Sequence, residues 1–166
     1  MVREGFDCIL RAGTLSDSPL IRRKLADLGR GTFASPSYIE RFGEPRTPDD
    51  LEDHRIIGLF APDAASVSPL IFTDRGKERQ LTPPAVVTVT GPETNVACAC
   101  LGLGLIQVPR YRVAPELASG ALVEILADYP PTPLPVHVLY SHARQLSPRV
   151  RIVIDWMAEQ FRSRTV

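Results

Sequence analysis

The sequence predicts a mixed α/β fold, in which helices cover both faces of a sheet. Three observations favour this class. Short apolar or β-branched runs alternate along the chain with segments that carry helix-start signals. A hairpin pattern interrupts the alternation, which makes the predicted sheet mixed rather than purely parallel. With 166 residues, 44% of them hydrophobic, the chain is long enough for one domain or two small lobes.

The predicted strands are short, and turn residues separate them. Residues 6–11 are apolar and precede a turn at 12–14, whereas the mixed stretch 20–28 is either a strand or an extended crossing. Residues 74–77 contain an Arg-Gly pair and join the runs 70–73 and 78–81, as a hairpin turn would. Further strands are predicted at residues 32–34, 56–60, 70–73, 78–81, 86–90, 103–108, 122–125 and 136–140.

Proline, small polar residues and glycine mark where the predicted helices begin and end. Ser35 and Pro36 suit the N-cap and first position of a helix that ends at Gly43. The final helix begins at Pro148 and has the clearest apolar face, with Trp156 near its edge. Other helices are predicted at residues 47–54, 91–101 and 109–119. The final helix's apolar face comprises Leu146, Val150, Val153, Ile154, Met157 and Phe161.

Charge and composition exclude several classes of protein. Lys plus Arg number 19, as do Asp plus Glu, so the net charge is zero and no basic surface for nucleic acid is expected. The three cysteines, Cys8, Cys98 and Cys100, form no disulfide framework and are expected to be small core residues. We expect neither a signal peptide nor a membrane span, because no apolar run is long enough.

The sequence contains no recognisable catalytic or metal-binding motif. Residues 102–104 read Gly-Leu-Gly, but a third glycine is missing and the motif lies between a helix and a strand, the wrong order for a dinucleotide loop. A helix end with tight packing explains it better. His54, His137 and His142 lie far apart, without metal-ligand spacing or a nucleophile elbow. We therefore expect no catalytic residue, no metal and no cofactor.

Five short motifs follow one another along nearly the whole chain. They are EGFDCILRAG at 4–13, ASPSYI with Gly43 and PRTPDDL between 34 and 51, LGLGL to PRY between 101 and 111, PELASGALV at 115–123, and LSPRVR with IDW between 146 and 156. Each motif alone is weak, but the ordered set is specific. In this order they resemble the effector-binding domain of LysR-type transcriptional regulators.

The resemblance implies a periplasmic-binding-protein-like fold of type 2, with a mixed sheet and helices on both faces. Residues 30–140 would form a nearly complete second sensor lobe, and residues 1–29 with 141–166 would form part of the first lobe. Members of the family carry an N-terminal winged helix-turn-helix and bind a small molecule between the lobes. DNA contact would then come only through a segment outside this sequence.

Self-association is a further expectation that rests on the resemblance. The strand at 6–11 would lack sheet neighbours, and the final helix would lack much of the surface that it covers in the family. Unpaired strand edges and bare apolar faces promote association. We therefore expect a dimer or higher homo-oligomer, in the cytoplasm and without a membrane partner.

Six residues are candidate ligand-binding residues, because they follow strand ends or open a helix, where α/β sheets bind ligands. Gly13 and Thr14 could equally form an ordinary turn, Phe60 could belong to the core, and the helix start could serve only as a cap. The candidates are Gly13, Thr14, Phe60, Thr90, Gly91 and Thr94.

These residues predict a small anionic effector, since a helix start favours negative charge. The leading hypothesis is a regulator's effector-sensing domain that is not an enzyme. The alternative is a solute-binding protein of a transport system, which has a related two-lobe fold.

Overall fold

The computed structural model of the chain describes residues 7–13, 20–60, 66–140 and 148–163. It divides the chain into two compact units. Unit 1 comprises Met1–Leu28 together with Pro133–Val166, and unit 2 comprises Gly29–Thr132. The chain therefore crosses from one unit to the other twice, at 28–29 and at 132–133.

Strands and helices alternate along much of the described chain. The strands are β1 (Cys8–Ala12), β2 (Ile21–Leu28), β3 (Arg30–Ala34), β4 (Ile56–Leu59), β5 (Leu70–Asp74), β6 (Lys77–Leu81), β7 (Ala85–Val89), β8 (Ile106–Pro109), β9 (Val123–Ile125) and β10 (Leu134–Tyr140). The α-helices are α1 (Pro36–Phe42), α2 (Pro92–Cys100), α3 (Ala114–Ser119) and α4 (Pro148–Ser163). Pro48–Asp53 and Arg110–Val113 are 3-10 helices.

Unit 1 is a three-stranded antiparallel sheet covered by one long helix. The strand order is β1-β10-β2, so β10 pairs with both neighbours. Leu25 and Val138 of the sheet form a small core with Ile154 and Ala158 of α4. Because β1 pairs along its length with β10, the expectation that this strand lacks a sheet neighbour is corrected. No described residue pairs with its other edge.

Unit 2 contains three small sheets. β8, β3 and β9 form an antiparallel sheet in that order, and β5 pairs with β6 in a hairpin. β4 and β7 are parallel. Parallel strands require a connection that crosses from one end of the pair to the other. A parallel bridge from Ile56 to Leu105 and a hydrogen bond of 3.0 Å from the Ile57 N–H to the Leu105 carbonyl join β4 to the chain just before β8.

Consecutive residues of β3 pack into two different buried clusters. Ala34 belongs to one cluster with Tyr38 of α1, while the preceding Phe33 belongs to another with Val96 and Ala99 of α2. Successive side chains of a strand point to opposite faces, so each cluster lies on one face of the layer. Helices therefore cover both faces of this layer in unit 2, as the sequence predicts. Burial on both faces also explains why β4 is a continuous apolar run.

The predicted cap residues determine where α1 begins and ends. Ser35 is its N-cap, and the Ser35 hydroxyl accepts a hydrogen bond of 3.2 Å from the Tyr38 N–H. Gly43 follows its last residue with a φ of 81°, and the Gly43 N–H bonds to the carbonyl of Ile39. In the hairpin, Arg75 and Gly76 both have positive φ, as a two-residue turn of type I′ requires.

Glycine at 102 closes α2, as expected. Its φ is 73°, and a Cβ placed on it would lie 2.8 Å from the Ser37 hydroxyl oxygen. A Cβ on Gly104 would lie equally close, at 2.8 Å, to the Arg55 carbonyl oxygen. Both positions therefore need glycine for packing, which supports a helix end rather than a phosphate loop.

A buried polar network lies between α1 and the 3-10 helix that follows it. The Arg55 N–H donates to the Tyr38 hydroxyl at 3.1 Å, and that hydroxyl lies 3.0 Å from Nδ1 of His54. Since the hydroxyl accepts from Arg55, its own proton is available to donate to a neutral His54. Burial lowers the pKa of His54, and the nearby Asp50 and Asp53 only partly oppose this effect.

The compact units divide at 132–133, whereas the predicted lobes divide between residues 140 and 141. β10 belongs to unit 1 because it pairs with β1 and β2. The structure also changes the predicted apolar face of α4. Val153 is 46% exposed, whereas Ala158, which was not predicted, is buried. The sheet beneath α4 has only three strands and covers a narrow stripe of the helix. Leu146 lies outside the described residues.

The part of the chain that the structure describes offers neither a membrane-spanning helix nor a metal-binding cluster. No helix there is long and apolar enough to cross a membrane. No group of three or more His, Cys, Asp and Glu side chains there could hold a metal ion. Cys98 and Cys100 are free thiols, and both pack against the core beneath α2.

Candidate ligand-binding site

Three predicted residues of unit 2 lie together where the parallel strands β4 and β7 end. Leu59 is paired with Val89, and the N–H of the next residue, Phe60, donates to the Val89 carbonyl at 2.8 Å. Thr90 and Gly91 directly follow Val89. Because the strands are parallel, their carboxyl ends share one edge, and such edges are where α/β sheets bind ligands.

The start of α2 adjoins this edge. Gly91 is the N-cap, Pro92 follows it, and the Asn95 N–H donates to the Gly91 carbonyl at 3.0 Å. The N–H groups of the first turn have no partner within a helix and can bind an anion. A Cβ on Gly91 would lie 3.4 Å from the Thr94 hydroxyl oxygen, so a side chain there would crowd the first turn.

The two threonines present hydroxyl groups to solvent. Thr90 and Thr94 are both exposed, and within the described residues neither side chain makes a hydrogen bond. Phe60 is half-buried and belongs to none of the three buried core clusters. This edge therefore offers hydroxyl groups and backbone N–H groups beside one aromatic ring, which suits a small organic anion.

Charge at the helix start is partly balanced. Glu93 lies in the first turn of α2, where a carboxylate would compete with an anionic ligand for the helix dipole. Its Oε1 accepts a hydrogen bond of 3.3 Å from the guanidinium of Arg112, which reduces that competition. Arg112 itself contacts the ring of Tyr111, with its guanidinium carbon 5.5 Å from the ring centre.

Asn95 contributes to this site and was not among the predicted residues. It is only 2% exposed, and its Nδ2 donates to the carbonyl of Ile57 in β4 at 3.0 Å. This bond ties the first turn of α2 to the strand that ends at Phe60, and so positions one against the other. An asparagine inside a predicted helix, where it is unfavourable unless its amide is used, was the available signal.

The remaining candidates belong to unit 1. Gly13 follows β1 with a φ of 103°, and its N–H donates to the Pro135 carbonyl at 2.9 Å. It therefore forms a turn that favours glycine. Thr14 lies outside the described residues. The structure thus brings together Phe60, Thr90, Gly91 and Thr94 in unit 2. Gly13 belongs to unit 1.

Comparison with known proteins gives one family for almost the whole chain. The model of the LysR substrate binding domain matches residues 1–162. An uncharacterized HTH-type transcriptional regulator of Escherichia coli is 36% identical over 160 residues, which are 95% of this chain and 53% of that protein. An HTH-type transcriptional repressor of Pseudomonas aeruginosa is 30% identical over 168 residues, covering 97% of this chain and 51% of the repressor.

Solved structures agree with the sequence comparison. The regulatory domain of CrgA, a LysR-type transcriptional regulator from Neisseria meningitidis, superimposes with a TM-score of 0.79 at 25% identity. The match covers 96% of this chain and 78% of that domain. This likeness confirms the predicted fold class.

The chain spans about half the length of the curated relatives it matches. Their names are those of transcriptional regulators rather than of transport proteins or enzymes, which favours the leading hypothesis over a solute-binding protein. The family match, the ordered motifs and the shared fold lead to one conclusion: this chain belongs to the LysR substrate-binding domain family.

Proposed function

We propose that this chain is the effector-sensing part of a DNA-binding transcriptional regulator and that it binds a small organic anion. The observation that carries the proposal is the shared carboxyl edge of β4 and β7, where Phe60, Thr90 and the start of α2 lie together. The hydroxyls of Thr90 and Thr94 and the N–H groups of the first turn would bind a carboxylate, and the Phe60 ring would contact its apolar part.

Regulation would follow from unequal affinity. An effector shifts an equilibrium between two states of a protein only by the ratio of its affinities for them. Gly13 and Thr14 remain predicted ligand-binding residues of unit 1. DNA binding would reside in a winged helix-turn-helix outside this sequence, and the regulator would act in the cytoplasm as a homo-oligomer. The assignment of the two units as sensor lobes belongs to this proposal.

Calorimetry with a panel of small aliphatic and aromatic carboxylates, each beside its neutral amide, tests the proposed ligand class. At least one carboxylate should bind saturably and more tightly than its amide. Thr94→Val should weaken that binding roughly tenfold or more, because it removes a hydrogen bond to a charged group.

Thr82→Val is the matched control. Thr82 is also exposed, but it precedes the amino end of β7 and therefore lies at the opposite end of the strand from Thr90. This variant should bind as tightly as the unaltered protein. Equal loss in both variants, or tighter binding of the neutral amides throughout the panel, would contradict the proposal.

A further inference from the structure

The two segments where the chain crosses between its units lie at 28–29 and at 132–133. Within unit 2, hydrogen bonds link both segments to one small element, the hairpin β5–β6, the first through a side chain of β8 and the second directly. This hairpin is a separate two-stranded sheet and does not pair with the other described strands. Other contacts must therefore hold it in the unit.

The Gln107 side chain links the hairpin to the first crossing. Its amide bonds to both backbone groups of Ile71: Oε1 accepts from the N–H at 2.8 Å, and Nε2 donates to the carbonyl at 2.8 Å. A side chain thus replaces a strand as the hairpin's partner. The same amide accepts from the Arg30 guanidinium at 3.2 Å and donates to the Thr32 hydroxyl at 3.2 Å.

Arg30 stands immediately after the first crossing. Its guanidinium is partly buried, and burial lowers its pKa, although the negative charge of Glu78 opposes this effect. The hydrogen bond to the Gln107 oxygen therefore ties this guanidinium to β8. The backbone adds another tie, because the Gly29 carbonyl accepts from the Arg110 N–H at 3.0 Å.

The second crossing is held by the hairpin itself. The Thr73 N–H donates to the Pro130 carbonyl at 3.1 Å, and the Thr132 hydroxyl donates to Oε2 of Glu78 at 2.7 Å. The hydrogen bond from Thr132, followed by one from Gln80, lowers the pKa of Glu78 and keeps its carboxylate charged. Glu78 thus ties the second crossing to the hairpin, as Gln107 ties the first.

We infer that the hairpin β5–β6 is a clasp that limits how freely both crossing segments move with respect to unit 2. Gln107 links the first segment to the hairpin, and Glu78 links the second segment to it through Thr132. The clasp would regulate any change of state that the proposed effector causes, because such a change must pass through these two segments. That consequence rests on the proposed function, but the clasp itself does not.

Amide hydrogen exchange of the full chain, measured by mass spectrometry without any ligand, tests the clasp. The informative peptides span residues 27–33 and 128–134. The second reports mainly through Tyr129, Thr132 and Leu134, because its three prolines have no N–H. Glu78→Ala and Thr132→Val should each speed exchange roughly twofold to fivefold in the second peptide and leave the first unchanged, because both remove the same hydrogen bond. Gln107→Leu should speed exchange roughly tenfold in the first peptide, because it removes the amide that bonds to the Arg30 and Thr32 side chains and to the hairpin.

Glu44→Ala is the control, since Glu44 is also a carboxylate paired with an arginine, at 3.2 Å from Arg46. It should leave both peptides unchanged. Faster exchange confined to residues 70–81 in Glu78→Ala, or unchanged exchange at both crossings in Glu78→Ala and Thr132→Val, would overturn the inference. No effector is involved, so these outcomes are independent of whether the ligand proposal succeeds.

Discussion

The two units bury their apolar residues in different ways. Unit 2 has two clusters on opposite faces of one layer, and the strands between them are buried on both sides. Unit 1 has a single cluster, in which α4 covers part of one three-stranded sheet. Leu10 in that sheet is 49% exposed, and Trp156 on the helix is 59% exposed.

This difference predicts where stability resides. Hydrophobic stabilisation scales with the apolar area removed from water, and a strand buried on both faces contributes two sets of contacts. We expect unit 2 to be the more stable part of the chain and unit 1 to open first. Substitutions in the core of each unit test this expectation.

The largest effect is expected from Phe33→Ala in β3. Phe33 is fully buried between the central layer and α2, so the substitution should lower the free energy of unfolding by about 3–5 kcal/mol. Urea denaturation followed by circular dichroism measures this change. Phe42→Ala is the control, because Phe42 is 50% exposed and should cost far less. Equal losses of unfolding free energy in the two variants would contradict the burial of Phe33 in the core of unit 2.

A smaller and more local loss is expected from Ile154→Ala in α4. Ile154 is 2% exposed, and its removal should cost about 2–4 kcal/mol. Since unit 1 has one cluster, hydrogen exchange should rise in β1, β2, β10 and α4 while β3 and β8 stay protected. Ile152→Ala, at a position 68% exposed, should change little. Uniform loss of protection in both units would contradict their separate stability.

The smallest effect concerns pH and the buried His54. Its pKa is lowered in the folded protein, so near the ordinary value of 6.5 the unfolded chain binds more protons than the folded one. Stability should therefore fall as the pH is lowered from about 7.5 through 6.5. Denaturation at several pH values should show a weaker dependence in His54→Gln. A slope that is unchanged in this variant would rule out His54 as its source.

Much of the fold could be predicted from local signals. Ser35, Pro36 and Gly43 define α1 because capping depends on residues within one turn, and the Arg-Gly turn defines the hairpin for the same reason. The predicted segment 47–54 forms a 3-10 helix rather than an α-helix. Its acidic first turn and proline start are common to both helix types, so the sequence could not distinguish them.

The site was only partly predictable. Phe60, Thr90, Gly91 and Thr94 follow from the rule that ligands bind at the carboxyl ends of strands, and the structure places them at such an edge. Asn95 was missed, because its role depends on the carbonyl of Ile57, which is 38 residues away. No spacing rule relates residues that only a crossover brings together.

The sequence by itself determined the order of strands and helices, the caps and the family, because these depend on neighbouring residues and on motifs in a fixed order. Only the tertiary structure decided that β10 belongs with β1 and β2, and that Gln107 and Glu78 hold the hairpin and the crossings. Pairing between strands that are distant in sequence depends on the free energy of the whole packed unit. The sequence of a single strand therefore does not reveal which strand it pairs with.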